Sequence, residues 1–196
     1  MFTSNESKTI RFLMVSFDYY SINEIAKECN LSPNGAYKIL KKLEKQDILN
    51  HKEISKIKAY KINFENPLIL SYLEIAIMDE RINIPKIKVI NHYLENMKKI
   101  CKACVLFGSY ITNKEKPNDI DILFVFDKKK YREYSKELEQ VKILLTYKIH
   151  DMIQTEEDFV KNIKNKKEAV LDIIKNGVVL WGHELIARSV KNVQTR

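Results

Sequence analysis

The chain has 196 residues and a formal net charge of +8, with 45% apolar and 31% charged residues but only four Gly and four Pro. This composition excludes collagen-like, low-complexity and disulfide-scaffold classes and predicts an ordinary globular protein of one larger or two smaller domains. The longest apolar runs, such as 105–107 and 122–126, fall far short of the roughly 20 residues of a membrane span, and no signal-peptide core follows the start, so a cytoplasmic protein without a membrane partner is expected.

Three cysteines, Cys29, Cys101 and Cys104, are an odd number without an export signal and are expected to be reduced. The Cys101-x-x-Cys104 pair has no second pair or nearby His to complete a zinc site and runs into a strand-like segment, so buried structural thiols are the expectation. The basic excess invites a nucleic-acid reading, but abundant Lys, Ile and Asn together point to coding bias as well, so charge alone decides nothing.

In chain order, Ile10, Leu13, Met14 and Phe17 lie at i, i+3, i+4 and i+7, and Ile22, Ile25, Ala26 and Cys29 repeat that spacing, predicting two helices with one buried face each. Ser21 with Glu24 is a capping box. After a turn at Asn30-Leu31, Ser32 as N-cap and Pro33 at N1 open a third helix that buries Ala36, Ile39, Leu40 and Leu43. Two capped helices joined by a short turn have helix-turn-helix spacing. The third helix leaves Asn34, Tyr37, Lys38, Lys41, Lys42 and Lys45 to solvent, a set suited to phosphate and base-edge contacts in a major groove. Ile48-Leu49 and Ala59 to Ile62 read as strands flanking the polar turn Glu53 to Ser55. The whole segment resembles a winged helix-turn-helix, which implies DNA as a partner; winged helices also serve as protein-docking modules.

The expected division is a DNA-binding domain at 1–65, a helical connector at 66–85 and a second domain at 86–196. The connector has Ile69, Leu73, Ala76 and Ile77 on one face, with Pro67 at the first helical position. A helix from Lys86 to Lys99 then precedes the strand Val105-Leu106-Phe107, which ends in Gly108-Ser109. Next comes Asp119-Ile120-Asp121, opening the apolar strand Ile122 to Phe126. The period of two puts Asp119 and Asp121 on one face, and two adjacent carboxylates are best accommodated by a hard divalent cation, Mg²⁺ or Mn²⁺. Gly108 has no Cβ to keep a phosphate from the backbone, and the Ser109 hydroxyl and nearby N–H groups can donate to it. Metal and phosphate elements together describe a nucleoside-triphosphate site.

Gly108-Ser109 with Asp119-x-Asp121 resembles the DNA polymerase β-type nucleotidyltransferase superfamily, particularly its minimal nucleotidyltransferases, over about Lys86 to Val160. Archaeal and bacterial members also occur fused to a winged helix. The resemblance implies a fold class of α+β, an N-terminal winged helix-turn-helix plus a C-terminal α/β nucleotidyltransferase domain with a small mixed sheet flanked by helices. It further implies that Gly108 and Ser109 position the triphosphate of an NTP such as ATP, and that Asp119 and Asp121 bind Mg²⁺ or Mn²⁺ for transfer of a nucleoside monophosphate. Asp151, in the strand-like Tyr147 to Ile153, is its match for the third carboxylate, catalytic and metal-binding. The acceptors it allows are an RNA end or a protein hydroxyl, as in antitoxins that adenylylate a HEPN-type toxin; a homodimer is also compatible.

Where many members have Ala, a basic residue and Gly after Gly-Ser-x, this chain has Ile111-Thr112-Asn113, and its loop to the aspartates is one residue short. The competing expectation is therefore a transcriptional regulator whose transferase domain only senses a nucleotide or binds a partner. Helices are expected over Lys129 to Leu145, Glu156 to Lys164 and Lys167 to Lys175, with a short strand Val178 to Trp181. His150 and His183 read as isolated structural residues, and Tyr110 as packing near a nucleotide or, more commonly for an aromatic, in the core.

Overall fold

A computed structural model of the protein describes residues 2–112 and 119–195. Asn113, part of the expected loop departure, lies outside the described residues, as does the rest of the loop to Asp119. The chain divides into two compact units, Met1–Ile77 with Val190–Arg196, and Met78–Ser189. No helix among the described residues is long and apolar enough to cross a membrane.

The first unit runs α1 (Ser4–Met14), β1 (Tyr20–Ser21), α2 (Ile22–Glu28), α3 (Pro33–Lys45), β2 (Leu49–Ile54), β3 (Ile57–Ile62) and α4 (Ile69–Ile77). Local chemistry sets the helix starts. Thr3 with Glu6 and Ser21 with Glu24 form capping boxes, and the Ser32 hydroxyl accepts from the Gly35 N–H at 3.1 Å, with Pro33 in the first turn. Asn30, in the left-handed region at φ 51°, turns the chain between α2 and α3. Phe17, expected on the first helix, lies beyond it: α1 ends at Met14, and the Ser16 hydroxyl donates to the Phe12 carbonyl at 2.7 Å.

The three strands form an antiparallel sheet of order β1-β3-β2. Ser55 and Lys56 both have positive φ and make the two-residue turn of the β2–β3 hairpin, whose handedness suits the twist of the flanking strands. Ile10, Leu13, Ile25, Ala36, Leu40, Leu43, Ile48 and Tyr60 are fully or nearly fully buried beneath the helices. The segment expected as a connector starts its helix at Ile69, two residues after Pro67; the Asn66 side chain instead accepts from the Leu68 N–H and donates to the Asp47 carbonyl, both at 2.8 Å. Helix α4 packs against α1 within the first unit.

The second unit holds α5 (Pro85–Tyr93), β4 (Cys101–Phe107), β5 (Asp119–Phe126), α6 (Tyr131–Leu144), β6 (Lys148–Gln154), α7 (Glu156–Lys164), α8 (Glu168–Asn176) and β7 (Val178–Trp181). Helix α9 (His183–Gln194) follows, and from Val190 onward it is counted with the first unit, where the Gln194 side-chain amide donates to the Met14 and Ser16 carbonyls. The expected helix to Lys99 is shorter: α5 ends at Tyr93 and a 3₁₀ turn spans Glu95–Lys99. The sheet is small and mixed, of order β6-β5-β4-β7, with β5 and β6 parallel and the other pairs antiparallel. Ile120, Ile122, Phe124 and Phe126 bury one face of β5 in a core shared with Ile87 and Ile90 of α5 and Tyr134, Leu138 and Val141 of α6. Alternation then assigns Asp119 and Asp121 to the other face.

All three cysteines are free and buried. Burial pushes the Cys101 thiol up to about 12 and the Cys104 thiol well up, so neither is a ready thiolate for redox chemistry or metal binding.

Candidate active site

The site forms at one end of the second unit's sheet. Phe107, the last residue of β4, pairs with Asp121 of β5, and the chain leaves the sheet in a 3₁₀ turn over Gly108–Ile111. That pairing brings the Gly-Ser step beside the aspartates. Gly108 has φ +72°, and a Cβ there would lie 2.0 Å from Asp121 Oδ2, so the carboxylate occupies the space a side chain would need. Only glycine meets both conditions without displacing Asp121. Ser109 is half-buried, and its carbonyl accepts from the Thr112 hydroxyl at 2.8 Å and from the Thr112 N–H at 3.2 Å, closing the turn.

On β6 the register decides which residue joins the aspartates. Cross-strand partners share a face, and Asp119 pairs with Lys148, Asp121 with His150, and Ile122 with Asp151. His150 therefore stands on the aspartates' face. Its Nδ1 lies 3.2 Å from Asp119 Oδ2 and 3.6 Å from Asp121 Oδ1. One ligand atom from each of Asp119, Asp121 and His150 falls within 4.8 Å of the others. The imidazole is nearly half exposed and the two carboxylates about a quarter to a third, so the cluster is open to a solute.

Burial and the neighbouring Asp119 charge hold the Asp121 carboxyl above its ordinary range, partly offset by His150. A second carboxylate close by makes ionisation costly without a cation, which is the condition a metal site relieves. The oxygen donors, the crowded carboxylate pair and the glycine cradle against Asp121 fit a divalent ion.

The expectation for Asp151 is not met by this geometry. Paired with Ile122, it points to the α6 face of the sheet, where its carboxylate accepts from the Tyr134 hydroxyl at 2.7 Å. Burial first, and then that bond, push the Tyr134 phenol well up, so the phenol stays a donor. Tyr134 in turn stacks on Phe126 with ring centroids 4.4 Å apart. His150, read from sequence as isolated, is the residue that joins the aspartates instead. Tyr110 is a core residue: it is 3% exposed, donates to the Lys86 carbonyl at 3.2 Å and meets Tyr147 edge-on at 5.4 Å.

On α3, Asn34, Tyr37, Lys38, Lys41, Lys42 and Lys45 are all exposed. Two of them are held within the unit. Lys42 Nζ lies 2.7 Å from Glu6, and Lys41 lies 3.2 Å from Glu44, which also holds Lys58 at 2.6 Å and His51. Lys38 and Lys45 carry no ion pair among the described residues.

No curated protein and no solved structure matches the chain. The family model described as polymerase beta, nucleotidyltransferase matches residues 88–184, a span that includes β4, the Gly108-Ser109 turn, both aspartates and His150. With its crowded carboxylate pair and its glycine cradle inside the matched span, the segment 88–184 is similar to the nucleotidyltransferases of the polymerase beta type.

Proposed function

We propose that the protein is a divalent-metal-dependent nucleotidyltransferase that moves a nucleoside monophosphate, AMP from ATP, to a hydroxyl on a protein or RNA acceptor. The observation that carries this reading is the position of Asp119 and Asp121 on one face of β5, directly beside the Gly108-Ser109 turn, inside the matched segment. The acceptor oxygen bonds to the α-phosphorus as the bond to the bridging oxygen breaks and pyrophosphate leaves. Gly108 leaves room for the Asp121 carboxylate beside the turn, and Ser109 would donate to the triphosphate. Asp119 and Asp121 would hold Mg²⁺ or Mn²⁺ and act as electrostatic organisers, not nucleophiles. A bound ion supplies neutralisation of phosphate charge and a lowered pKa for the acceptor hydroxyl.

Incubation of the protein with ATP labelled at the α-phosphate or at the γ-phosphate, with RNA and with candidate protein acceptors including a HEPN-type toxin, tests this. Label should pass to an acceptor from the α-position only. A nucleotide-sensing regulator is the second reading, favoured by the placement of Asp151 on the opposite face, which leaves the site without a third carboxylate among the described residues. Bound nucleotide with no label transferred to any acceptor would establish it.

The first unit is proposed to act as a winged helix-turn-helix on DNA, consistent with an antitoxin or transcription-regulating role. Its support is the element order with α3 behind a capped α2 and a lysine-bearing hairpin after it. Lys38 and Lys45 are the α3 cations with no ion pair among the described residues, so changing both to Ala should weaken DNA binding most directly. Each lost phosphate contact removes about 0.9 from the slope of log K against log salt, so the double variant should flatten it by about 1.8. An unchanged slope would favour a protein-docking module.

A further inference from the structure

Resting on the transferase reading, we propose that His150 supplies an imidazole nitrogen as the third protein ligand of the metal held by Asp119 and Asp121, and that this donor makes the site select a divalent transition ion over Mg²⁺. The β5–β6 register places His150, not Asp151, opposite Asp121. Its Nδ1 separations of 3.2 and 3.6 Å from the two carboxylates are close to the ~3 Å between adjacent ligands of a small octahedral ion with bonds of about 2.1 Å.

The carboxylate next along the chain is committed elsewhere. Asp151 accepts from Tyr134, which is itself wedged against Phe124 and Phe126, so restoring an all-oxygen trio would require β6 to slip by one residue and lose that packing. Mg²⁺ demands oxygen donors, whereas imidazole suits the first-row transition ions, and Mn²⁺ accepts both kinds. Two carboxylates and one imidazole therefore penalise Mg²⁺ relative to Mn²⁺, which is the probe used here for the class.

Calorimetric titration of the full-length protein with MnCl₂ and with MgCl₂ should show tighter Mn²⁺ binding. In His150→Ala, Mn²⁺ affinity should fall by at least the roughly 10–100-fold that even an outer-shell partner of a metal site contributes, with Mg²⁺ affinity far less affected. His150→Asp should move the preference toward Mg²⁺. Pulsed electron paramagnetic resonance of the Mn²⁺-loaded wild type should show coupling to a directly bound imidazole nitrogen, a readout that does not depend on any variant folding. Absence of that coupling, or equal Mn²⁺ affinity in His150→Ala, overturns the assignment. The control is Asp119→Asn with Asp121→Asn: if it loses Mn²⁺ binding while His150→Ala does not, only the role of His150 fails. If the double variant binds Mn²⁺ like the wild type, the metal site and the transferase reading fail together.

Discussion

With Asp119 and Asp121 both changed to Asn, the protein is expected to be more stable than the wild type in the absence of metal and yet to gain nothing from ATP with Mg²⁺ or Mn²⁺. The two effects have one origin. In the metal-free fold, burial and the neighbouring Asp119 charge raise the Asp121 carboxyl above its unfolded value. A carboxyl raised by folding contributes stability that is fully present below its unfolded value and is lost as pH rises through its folded value, because the folded state then binds more protons than the unfolded one. Measured against the Asn variant, in which Glu6, Glu24 and Glu44 titrate below their ordinary values just as in the wild type, the metal-free wild type should therefore lose stability as pH rises out of the carboxylate range. Metal displaces the proton, so stabilisation by metal and ATP should grow over the same rise in pH. In the wild type, ATP at 100 times its dissociation constant should add about 2.7 kcal/mol, or roughly 5–10 °C in a chain of this size. Thermal melts at several pH values, with and without metal and ATP, measure all of this, and transfer should drop by about 10³-fold or more as the metal's several kcal/mol are lost. An equal ATP shift in the double variant would remove both aspartates from the site.

Gly108→Ala is expected to have a comparably large effect from a single methyl group. The residue sits at φ +72°, where a side chain costs roughly 1–3 kcal/mol of backbone strain. The new Cβ would also lie 2.0 Å from Asp121 Oδ2 and 2.9 Å from its Cγ, so the carboxylate must leave its position. Metal and nucleotide binding should then weaken, and transfer should fall by about 100-fold or more, since a misplacement of about 1 Å can cost that much in rate. Calorimetry with Mn²⁺ and ATP reads the loss, and circular dichroism checks that the helices and strands persist. Wild-type binding by Gly108→Ala would show that the turn and the Asp121 carboxylate are not coupled as the structure has them.

The two predictions concern residues that are visible in the sequence for local reasons. A strand alternates with a period of two whatever it pairs with, so Asp119 and Asp121 share a face wherever β5 lies in the sheet. Helix caps are equally local: Ser21 with Glu24, and Ser32 with the Gly35 N–H behind Pro33, satisfy backbone groups within a few residues and mark the starts of α2 and α3 before any packing is known. Residues 88–184, which include Gly108 and both aspartates, match the transferase family model on their amino-acid sequence.

What joins those aspartates is a different kind of question. His150 and Asp151 are adjacent and both can ligate metal, and they point to opposite faces of β6, so the choice is the parity of the β5–β6 register. A slip of one residue would exchange them, and nothing within the segment Lys148–Gln154 decides between the two settings. The setting is held by contacts with other segments, the core that receives Ile149 and Tyr134 of α6, which donates to Asp151. The partners of Glu44, drawn from α3, β2 and β3, and the return of Val190–Arg196 to the first unit are non-local in the same way. The amino-acid sequence by itself determined the carboxylate pair, the glycine beside it and the helix starts, because each depends on neighbours along the chain. Only the tertiary structure decided that an imidazole completes the cluster, because pairing register is fixed by packing between segments far apart in the chain.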